Sequence, residues 1–289
     1  MPHSAAAPDL GQAGWRELVE FFAGVWLGDV ATDLALYLAA AGLSFVLLWR
    51  VFRRPLAGRR IDPRVPPASE MRREFLYSLS TLAIFGLVGV ATVAATLAGW
   101  TRLSFAVPAI DWVWFALVLP LMFVAHDAYF YWAHRAMHHP ALFRLFHRTH
   151  HRSVNPSPWA AYAFAPAEAV VEAAFVPLFV LVVPVDVLAV LIFVAVQVAR
   201  NALGHSGYEI YPPSWQRLPV LRWLNTNTHH HLHHETGRGN YGLYFLWWDR
   251  LMGTEHPDTD VVFARAASGG AVADPARDPL LKRAAAGAD

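Results

Sequence analysis

The stretch FLYSLSTLAIFGLVGVATVAATLAG, residues 75–99, contains no charged residue and decides the fold class of this chain. An α-helix needs about 20 predominantly apolar residues to cross the hydrocarbon core of a bilayer. Residues 34–49 (LALYLAAAGLSFVLLW) and 110–132 have the same character. The three segments therefore predict three membrane-spanning helices.

The segment 169–199 is apolar apart from Glu172, Asp186 and Gln197, and it is too long for one untilted helix. Pro177 and Pro184 interrupt it, and proline breaks the hydrogen-bond pattern of a helix interior. We therefore expect a hairpin of two shorter helices. The complete chain is then an all-α integral membrane protein with four to five hydrophobic helices.

Composition supports the membrane assignment. Of the 289 residues, 56% are hydrophobic and only 16% are charged, whereas soluble domains carry about a quarter charged residues. This composition excludes a disordered chain and a coiled coil, and the net charge of +1 argues against nucleic acid as a partner. There is no cysteine, so disulfides and thiolate metal sites are excluded. The N-terminus lacks the pattern of a cleavable signal peptide.

Arginine placement predicts the orientation, since cytoplasmic loops of membrane proteins are enriched in Lys and Arg. Arginines are frequent between the first two hydrophobic segments, at Arg50, Arg53, Arg54, Arg59, Arg60, Arg64, Arg72 and Arg73. We therefore expect the 50–74 loop to be cytoplasmic, with residues 1–29 as an extracytoplasmic segment. Residues 30–264 would form the membrane domain, and residues 265–289, rich in Ala, Gly, Asp and Pro, a disordered tail.

Thirteen of the fifteen histidines lie between His126 and His234. They form three clusters and one isolated position, and offsets of three and four place side chains on one face of a helix. The histidines at such offsets are His134 and His138; His147, His150 and His151; and His230, His233 and His234. The isolated position is His205. The predicted hairpin brings all of them to the same side of the membrane, on a helical cap at the cytoplasmic face.

Imidazole is a good ligand for zinc, iron, copper and nickel. Nine imidazoles without a thiolate exceed one tetrahedral zinc site, so we predict two metal ions in one pocket. Redox iron fits best if an open position binds oxygen. His126, His139, His229 and His231 lie beside the predicted faces, as second-layer groups or as exposed side chains, and His229 is an alternative to His230 because it also pairs with His233 at four residues.

Asp127 precedes His134 by seven residues, close to the same helical face. An acid near the end of a spanning helix is a functional candidate. We expect it to accept the second N–H of a ligand histidine, with Glu168 and Glu172 as further candidates and Arg135 as a possible ion-pair partner. A lipid path could be lined by the aromatic residues near the clusters, which also suit an interfacial belt: Tyr129, Phe130, Trp132, Trp159, Trp223, Tyr241 and Trp247.

These residues resemble the fatty acid hydroxylase/sterol desaturase superfamily of integral-membrane, non-haem di-iron enzymes. The matching pieces lie within about 126–256 and are HRAMH (134–138), HRTHH (147–151), HSGYE (205–209), HHLHH (230–234), NYG (240–242) and WDRLMGT (248–254). Some members carry a histidine four residues before the isolated one, where this chain has Asn201. No cytochrome b5-like domain is fused to this sequence, so electrons are expected from a separate protein.

The resemblance implies a di-iron, O2-dependent enzyme that abstracts hydrogen from an unactivated C–H bond of a lipid. The product is an alcohol or an alkene. Sterol, fatty acyl, alkylglycerol and carotenoid substrates all remain open. The implied electron donor is of ferredoxin or cytochrome b5 type, with its reductase.

Three other functions are compatible with membrane histidines. A zinc hydrolase would need a motif such as HExxH, which is absent. A b-type haem carrier would need histidines inside the spanning segments. A metal transporter would need a polar path through the membrane, for which Glu172, Asp186 and Gln197 are few. The Ala- and Arg-rich composition, with one lysine, suggests a bacterial inner membrane.

Overall fold

A computed structural model describes residues 11–106, 110–270 and 280. Within these residues the chain forms ten α-helices: α1 (Trp15–Tyr37), α2 (Ala68–Leu97), α3 (Trp112–Met137), α4 (Pro140–Phe146), α5 (Pro166–Ala173), α6 (Phe175–Val182), α7 (Val187–Gly204), α8 (Asn227–Thr236), α9 (Trp247–Leu251) and α10 (Thr259–Ala267). Two π-helical segments, Leu38–Gly42 and Phe45–Val51, continue α1. The described chain is therefore mostly helical, as predicted.

Four helical stretches are long and apolar enough to cross a membrane: Trp15–Val51, Ala68–Leu97, Trp112–Met137 and Val187–Gly204. Large apolar side chains are exposed on all four, among them Leu27, Leu87, Leu117 and Leu191. Such a surface is stable against lipid, and the protein is an integral membrane protein.

The first span starts earlier than the sequence suggested. Helix α1 begins at Trp15, so most of the segment expected to lie outside the membrane, residues 1–29, is helix. The predicted apolar segment, residues 34–49, does not include Phe21, Phe22 and Leu27, which belong to the same continuous helix. Residues 1–10 lie outside the described residues.

The expected hairpin at 169–199 is present. Helix α6 leads away from the histidines, the chain turns around Pro184, and α7 returns. A two-residue parallel pairing holds the turn, joining β1 (Leu103–Ser104) to β2 (Val185–Asp186). Pro177 does not interrupt a helix, because it lies in the first turn of α6, where its missing N–H has little cost.

Helices α1 and α2 pack closely at Gly86 and Gly89 of α2. A Cβ atom at Gly86 would lie 2.8 Å from Val30 and 2.9 Å from Trp26, so only glycine permits this approach. Small residues at helix interfaces are the usual means of bringing membrane helices together. The pair forms one wall of the membrane region.

The C-terminal part packs on the loop between α1 and α2. Arg265 donates hydrogen bonds to the carbonyls of Arg60, at 2.7 Å, and Ile61, at 2.5 Å, and Leu280 is buried beside Ile61. Helix α10 extends to Ala267, so residues 265–267 of the expected tail are helical. Residues 271–279 and 281–289 lie outside the described residues.

Candidate metal centre

All nine histidines singled out from the sequence meet at one end of the helical hairpin. They form two groups, and the ligand nitrogens within each group lie within 4.8 Å of one another. The five-histidine group is His134, His138, His147, His151 and His233, and the four-histidine group is His150, His205, His230 and His234. We call the nine side chains together the histidine centre. Each group could hold one metal ion.

The two HxxHH clusters each contribute to both groups. His147 and His151 belong to the five-histidine group, whereas His150 between them belongs to the other. In the third cluster the division is reversed, since His230 and His234 join the four-histidine group and His233 the five-histidine group. The third cluster lies on an α-helix as expected, whereas His150 of the second lies in a 3₁₀ turn. Each HxxHH cluster contributes to both groups, and His134 and His138 both belong to the five-histidine group.

The local backbone explains the division. His138 follows the last residue of α3, and His147 follows α4. His150 begins a single 3₁₀ turn, His150–Arg152, where the sequence had suggested an α-helical face. A 3₁₀ turn has three residues per turn rather than 3.6, so the angle between successive side chains around the helix axis is larger than in an α-helix.

Helix α8 is short and polar, yet residues 227–234 are all buried. Its N-terminus is held by Glu209, whose carboxylate accepts hydrogen bonds from the Thr228 backbone N–H at 2.9 Å and the Thr228 hydroxyl at 2.7 Å. Gly237, with φ of 65°, ends the helix in the left-handed conformation that glycine adopts without strain. Both ends of the histidine-bearing helix are thus fixed.

Five of the nine rings have a defined tautomer. Backbone carbonyls accept from Nδ1 of four of them, with Tyr241, Asn201, Gly239 and Ser153 as acceptors for His134 (2.9 Å), His205 (2.8 Å), His233 (2.6 Å) and His234 (2.9 Å). Glu168 accepts from Nδ1 of His147 at 2.6 Å. A carbonyl can only accept, and so can an ionised carboxylate such as that of Glu168, so Nδ1 carries the proton and Nε2 presents a lone pair.

These lone pairs face one another. The Nε2 atoms of His134 and His147 are 2.9 Å apart, and those of His205 and His234 are 3.1 Å apart. Because both rings of each pair are protonated at Nδ1, neither Nε2 can donate to the other. A cation between the lone pairs satisfies them, and the donor set therefore fits a metal ion in each group.

Burial keeps the imidazoles neutral. Loss of solvation lowers the pKa of His205 to about 4 and that of His151 to about 3. Burial, followed by the neighbouring imidazoles, also lowers the pKa of His233 and His234 well below the ordinary value. Neutral imidazole is the form that binds metal, so the rings are ready ligands at neutral pH.

The role expected for Asp127 is performed by Glu168. Asp127 accepts hydrogen bonds from the backbone N–H of Tyr244 (2.9 Å) and Phe245 (3.1 Å) and from Nε1 of Trp247 (2.7 Å). Within the described residues it bonds no histidine, so the sequence interpretation was wrong. The spacing of seven residues indicates only which face of α3 carries Asp127. Donors in the 243–247 segment lie within hydrogen-bond distance of its carboxylate instead.

The remaining histidines take other positions. His126 is bonded to the Tyr244 hydroxyl through Nδ1 at 3.0 Å, and His139 is the exposed N-cap of α4. His229 contacts Thr226 and Glu255 rather than the centre, which settles the register in favour of His230. His231 is buried beside Leu232, outside both groups.

Asn201, four residues before His205, does not reach the four-histidine group through its side chain. Its amide donates to the Ala161 carbonyl at 2.5 Å, and its own carbonyl accepts from His205. Asn201 therefore orients His205 through its backbone carbonyl. The identity of its side chain does not predict this role.

The downstream NYG and WDRLMGT segments support the five-histidine group. Asp249 accepts from the backbone N–H of Tyr241 at 2.9 Å and of Gly242 at 2.8 Å. This holds the Tyr241 carbonyl against His134, and the Tyr241 ring lies 5.1 Å from that of His138. Asp249 was not a predicted site residue, although it lies inside one of the segments that carried the resemblance.

A cavity of ≈ 240 Å³ lies in the membrane region among α1, α2, α5, α6 and α7. We call it the membrane cavity. Phe164 lines it and contacts the ring of His150 at 5.1 Å between centroids, so the cavity ends beside the four-histidine group. None of the seven aromatic residues proposed for a lipid path lines this cavity. Phe130 and Tyr241 instead contact ligand-candidate histidines, and Trp132 is about half exposed.

Residues 119–254 match the family model described as fatty acid hydroxylase. A Delta(7)-sterol 5(6)-desaturase of Gibberella zeae is 30% identical, over 78% of this chain and 68% of that protein. The chain belongs to the fatty acid hydroxylase/sterol desaturase superfamily. A Delta(7)-sterol 5(6)-desaturase of Aspergillus fumigatus is 28% identical over 83% of this chain and 76% of its own length, and the lathosterol oxidase of Rattus norvegicus is 26% identical over 66% and 63%. No solved structure matches significantly.

Membership of this superfamily makes the protein an oxidoreductase, and its relatives support desaturation or hydroxylation of a lipid.

Proposed function

We propose that the protein is an O2-dependent, di-iron membrane oxidase that hydroxylates or desaturates an unactivated C–H position of a lipid. The observation that carries the proposal is the histidine centre, whose two groups present converging Nε2 lone pairs at the end of an apolar cavity. The sterol desaturases among its relatives support the same reaction class.

The nine histidines would hold two iron ions, five rings around one and four around the other. Iron is preferred to zinc because the proposed oxidation needs a redox metal, and because the five-histidine group offers more ligands than tetrahedral zinc takes. The two ions would supply the oxidation of the C–H bond by O2, a reaction that also takes up two electrons and two protons and releases water. The chain's contribution is to position and enclose the reactants.

Three residues illustrate that contribution. Glu168 accepts the Nδ1 proton of His147, which orients the ring and increases its basicity. Phe164 separates His150 from the membrane cavity and excludes water from the four-histidine side. Tyr241 covers the five-histidine side, in contact with His134, His138 and His233. A dry site protects a reactive centre from side reactions.

The electrons would come from a separate ferredoxin or cytochrome b5-type carrier with its reductase. We further propose a bacterial inner membrane location with the histidine centre on the cytoplasmic side. The arginines between α1 and α2 support this orientation. Arg50, Arg53 and Arg54 are exposed there, and basic residues favour the cytoplasmic face.

The test is a comparison of total lipid extracts by mass spectrometry from cells expressing wild type or His150→Ala, with and without oxygen. A lipid that gains one oxygen atom, or loses two hydrogens, only in aerated wild type is the expected result. His139→Ala, which changes an exposed histidine outside the centre, is the matched control and should behave as wild type. Purified protein that contains zinc, with no oxygen-dependent product, would instead favour a hydrolase or a metal transporter.

A further inference from the structure

Tyrosine and tryptophan rings lead from the five-histidine group to the protein surface. The first is Tyr241, whose ring lies 5.6, 5.1 and 5.5 Å, between centroids, from the rings of His134, His138 and His233. Three of the five rings that could hold one metal ion are thus in contact with the same phenol.

Three further rings continue outward from Tyr241. The Tyr131 ring lies 6.2 Å from that of Tyr241, and Trp248 is stacked on Tyr131 at 5.9 Å. Trp132 lies 5.8 Å from Trp248 and 5.3 Å from Tyr131, and it is 48% exposed. Every step falls within the range of about 4.5–7 Å between the centroids of interacting aromatic rings. We call these four rings, Tyr241, Tyr131, Trp248 and Trp132, the aromatic series.

Every member of the aromatic series can lose a single electron. Phenol and indole rings are oxidised more readily than phenyl rings, and the chain has no cysteine to compete with them. The other side of the centre differs, since Phe164 is the only aromatic ring besides the imidazoles that pairs with the four-histidine group in the described part of the chain. A ring that resists oxidation therefore borders the membrane cavity, whereas readily oxidised rings lead away from it.

The Tyr131 hydroxyl also has an acceptor for its proton. Thr254 donates its one hydroxyl proton to Oδ1 of Asp249 at 2.8 Å, so in the 3.0 Å hydrogen bond between the two hydroxyls Tyr131 is the donor. Arg135 donates to the Tyr131 oxygen at 3.2 Å. A phenol that loses an electron becomes strongly acidic, and this chain of hydrogen bonds accepts the proton, which avoids an unpaired positive charge in a buried position.

We propose that the aromatic series carries single electrons from the protein surface to the histidine centre when the centre is oxidised and no lipid is in place. This inference rests on the proposed function and goes beyond it, because it assigns the chain a means of removing unused oxidising equivalents. A phenol gives up an electron only to a strongly oxidising centre, so the series transfers no electrons while the centre is reduced. Lipid consumes the oxidising equivalents in productive turnover, and the series consumes them otherwise, which protects the ligand rings from side reactions.

Each transfer moves one electron inward. Tyr241, which is partly exposed, gives one electron to the oxidised centre and releases its phenolic proton to solvent. Tyr131 restores the Tyr241 radical by one electron as a proton returns to Tyr241 from solvent, and the proton of Tyr131 moves to Thr254 as the Thr254 proton moves on to the carboxylate. A tryptophan of the series then restores Tyr131, whose proton returns. The one-electron carrier of ferredoxin or cytochrome b5 type restores the tryptophan at the surface, so the net change is one electron moved from the carrier to the centre.

The test generates a radical at the outer end of the series in metal-free, full-length protein. Because the natural chain has no cysteine, Ala136→Cys introduces a single thiol at an exposed position on α3, one helical turn after Trp132. A ruthenium polypyridyl photosensitiser is attached to this thiol and oxidised by a light flash in the presence of persulfate. Transient absorption and EPR then follow the radical. We expect a tryptophan radical that converts into a tyrosyl radical in chelator-treated protein.

Variants of the labelled protein locate the radical. Tyr131→Phe should abolish the tyrosyl signal, because it removes one tyrosine of the series and separates Tyr241 from the tryptophans. Tyr241→Phe should leave a signal from Tyr131 alone, and it keeps the inference testable if the first variant does not fold. Trp248→Phe should slow the transfer without abolishing it, since Trp132 also contacts Tyr131 directly.

Tyr129→Phe is the matched control, because Tyr129 lies on the same helix and pairs with Phe175 rather than with the series. It should retain the wild-type yield of tyrosyl radical. A merely structural role of the four rings would lower Tm in the variants and leave the radical yield of folded protein unchanged. An unchanged yield in folded Tyr131→Phe, or a tyrosyl signal that disappears in Tyr129→Phe, would overturn the inference.

The radical is measured without metal and without turnover, so the two proposals fail separately. Oxygen-dependent lipid oxidation in cells, with no radical transfer from tryptophan to tyrosine, would retain the oxidase and reject the series. Radical transfer that is lost in Tyr131→Phe, in a protein that oxidises no lipid under any condition, would retain the series and reject the oxidase.

Discussion

The histidine centre and the membrane cavity both bury polar side chains, but they satisfy them differently. In the centre, the outward Nδ1 atoms of five of the nine rings are bonded to protein acceptors, and the Nε2 atoms of these rings face other rings of the centre. In the cavity, Asp29, Asp33 and Glu172 line an open space with no hydrogen-bond partner among the described residues.

This difference indicates what each region receives. A centre whose rings are oriented in advance is built for a resident ion, because second-layer hydrogen bonds fix ligand geometry. A cavity whose polar groups lack partners suits a ligand that enters and leaves. Substitutions in the two regions should therefore have different effects on activity, iron binding and stability.

The largest effect should come from losing a ring of the centre. His150→Ala and His234→Ala should abolish lipid oxidation while the protein still inserts, since each removes one of only four nitrogens in its group. Activity is measured in lipid extracts, and iron by elemental analysis of purified protein. Retained activity in either variant would reject the ligand assignment.

Metal removal should destabilise the whole protein. Without a cation, paired Nε2 lone pairs face each other at about 3 Å. Anaerobic addition of ferrous iron to chelator-treated protein should therefore raise Tm, with a stabilisation of about 4 kcal/mol at a free concentration about 1,000 times Kd. His139→Ala should show the same rise, and His150→Ala a smaller one. An unchanged Tm in wild type would mean that the centre does not bind iron.

Glu168 and Glu172 form a matched pair, one turn apart on α5. Glu168→Ala should weaken iron binding about 10- to 100-fold, because His147 loses the acceptor of its Nδ1 proton. Glu168→Gln should restore part of the affinity through its amide oxygen. Glu172→Leu should leave iron affinity unchanged, as measured by competition with a chelator. Equal losses of iron affinity in Glu168→Ala and Glu172→Leu would mean that the two acids do not have separate roles at the centre and in the cavity.

The smallest effect is expected at Asp127. Asp127→Asn should reduce the stability of the protein by about 1–2 kcal/mol, since Asn accepts fewer of the three hydrogen bonds from the 244–247 segment. Iron content per folded molecule should stay at the wild-type level. Loss of iron with unchanged Tm would return Asp127 to a direct role at the centre. Trp247→Phe, which removes one of the three donors, is the milder control.

Most of the histidine centre could be predicted from the sequence. Eight of the nine histidines stand at offsets of three and four, which helical turns keep close whatever the rest of the chain does, and His205 stands alone. The division of each HxxHH cluster between the two groups was not predicted. It depends on a 3₁₀ turn at His150 and on the tertiary contacts that bring this turn to α8.

Residues whose role depends on distant contacts were harder to predict. Asp127 was assigned to a histidine from its spacing, yet its partners lie more than 110 positions away in the chain. Glu168 was one of three acids considered, and nothing local distinguishes it from Glu172. The start of α1 was missed because Trp15–Asp33 mixes acidic and apolar residues.

The sequence by itself determined the membrane character, the helical hairpin, the nine histidines and the superfamily. These properties depend on composition, on runs of apolar residues and on short-range spacing, all of which are local. Only the tertiary structure decided how the histidines divide into two groups, which acid supports them, and that unpaired carboxyl groups line a cavity beside them. Those features arise where segments far apart in the chain meet, and hydrogen bonding and burial there depend on every segment at once.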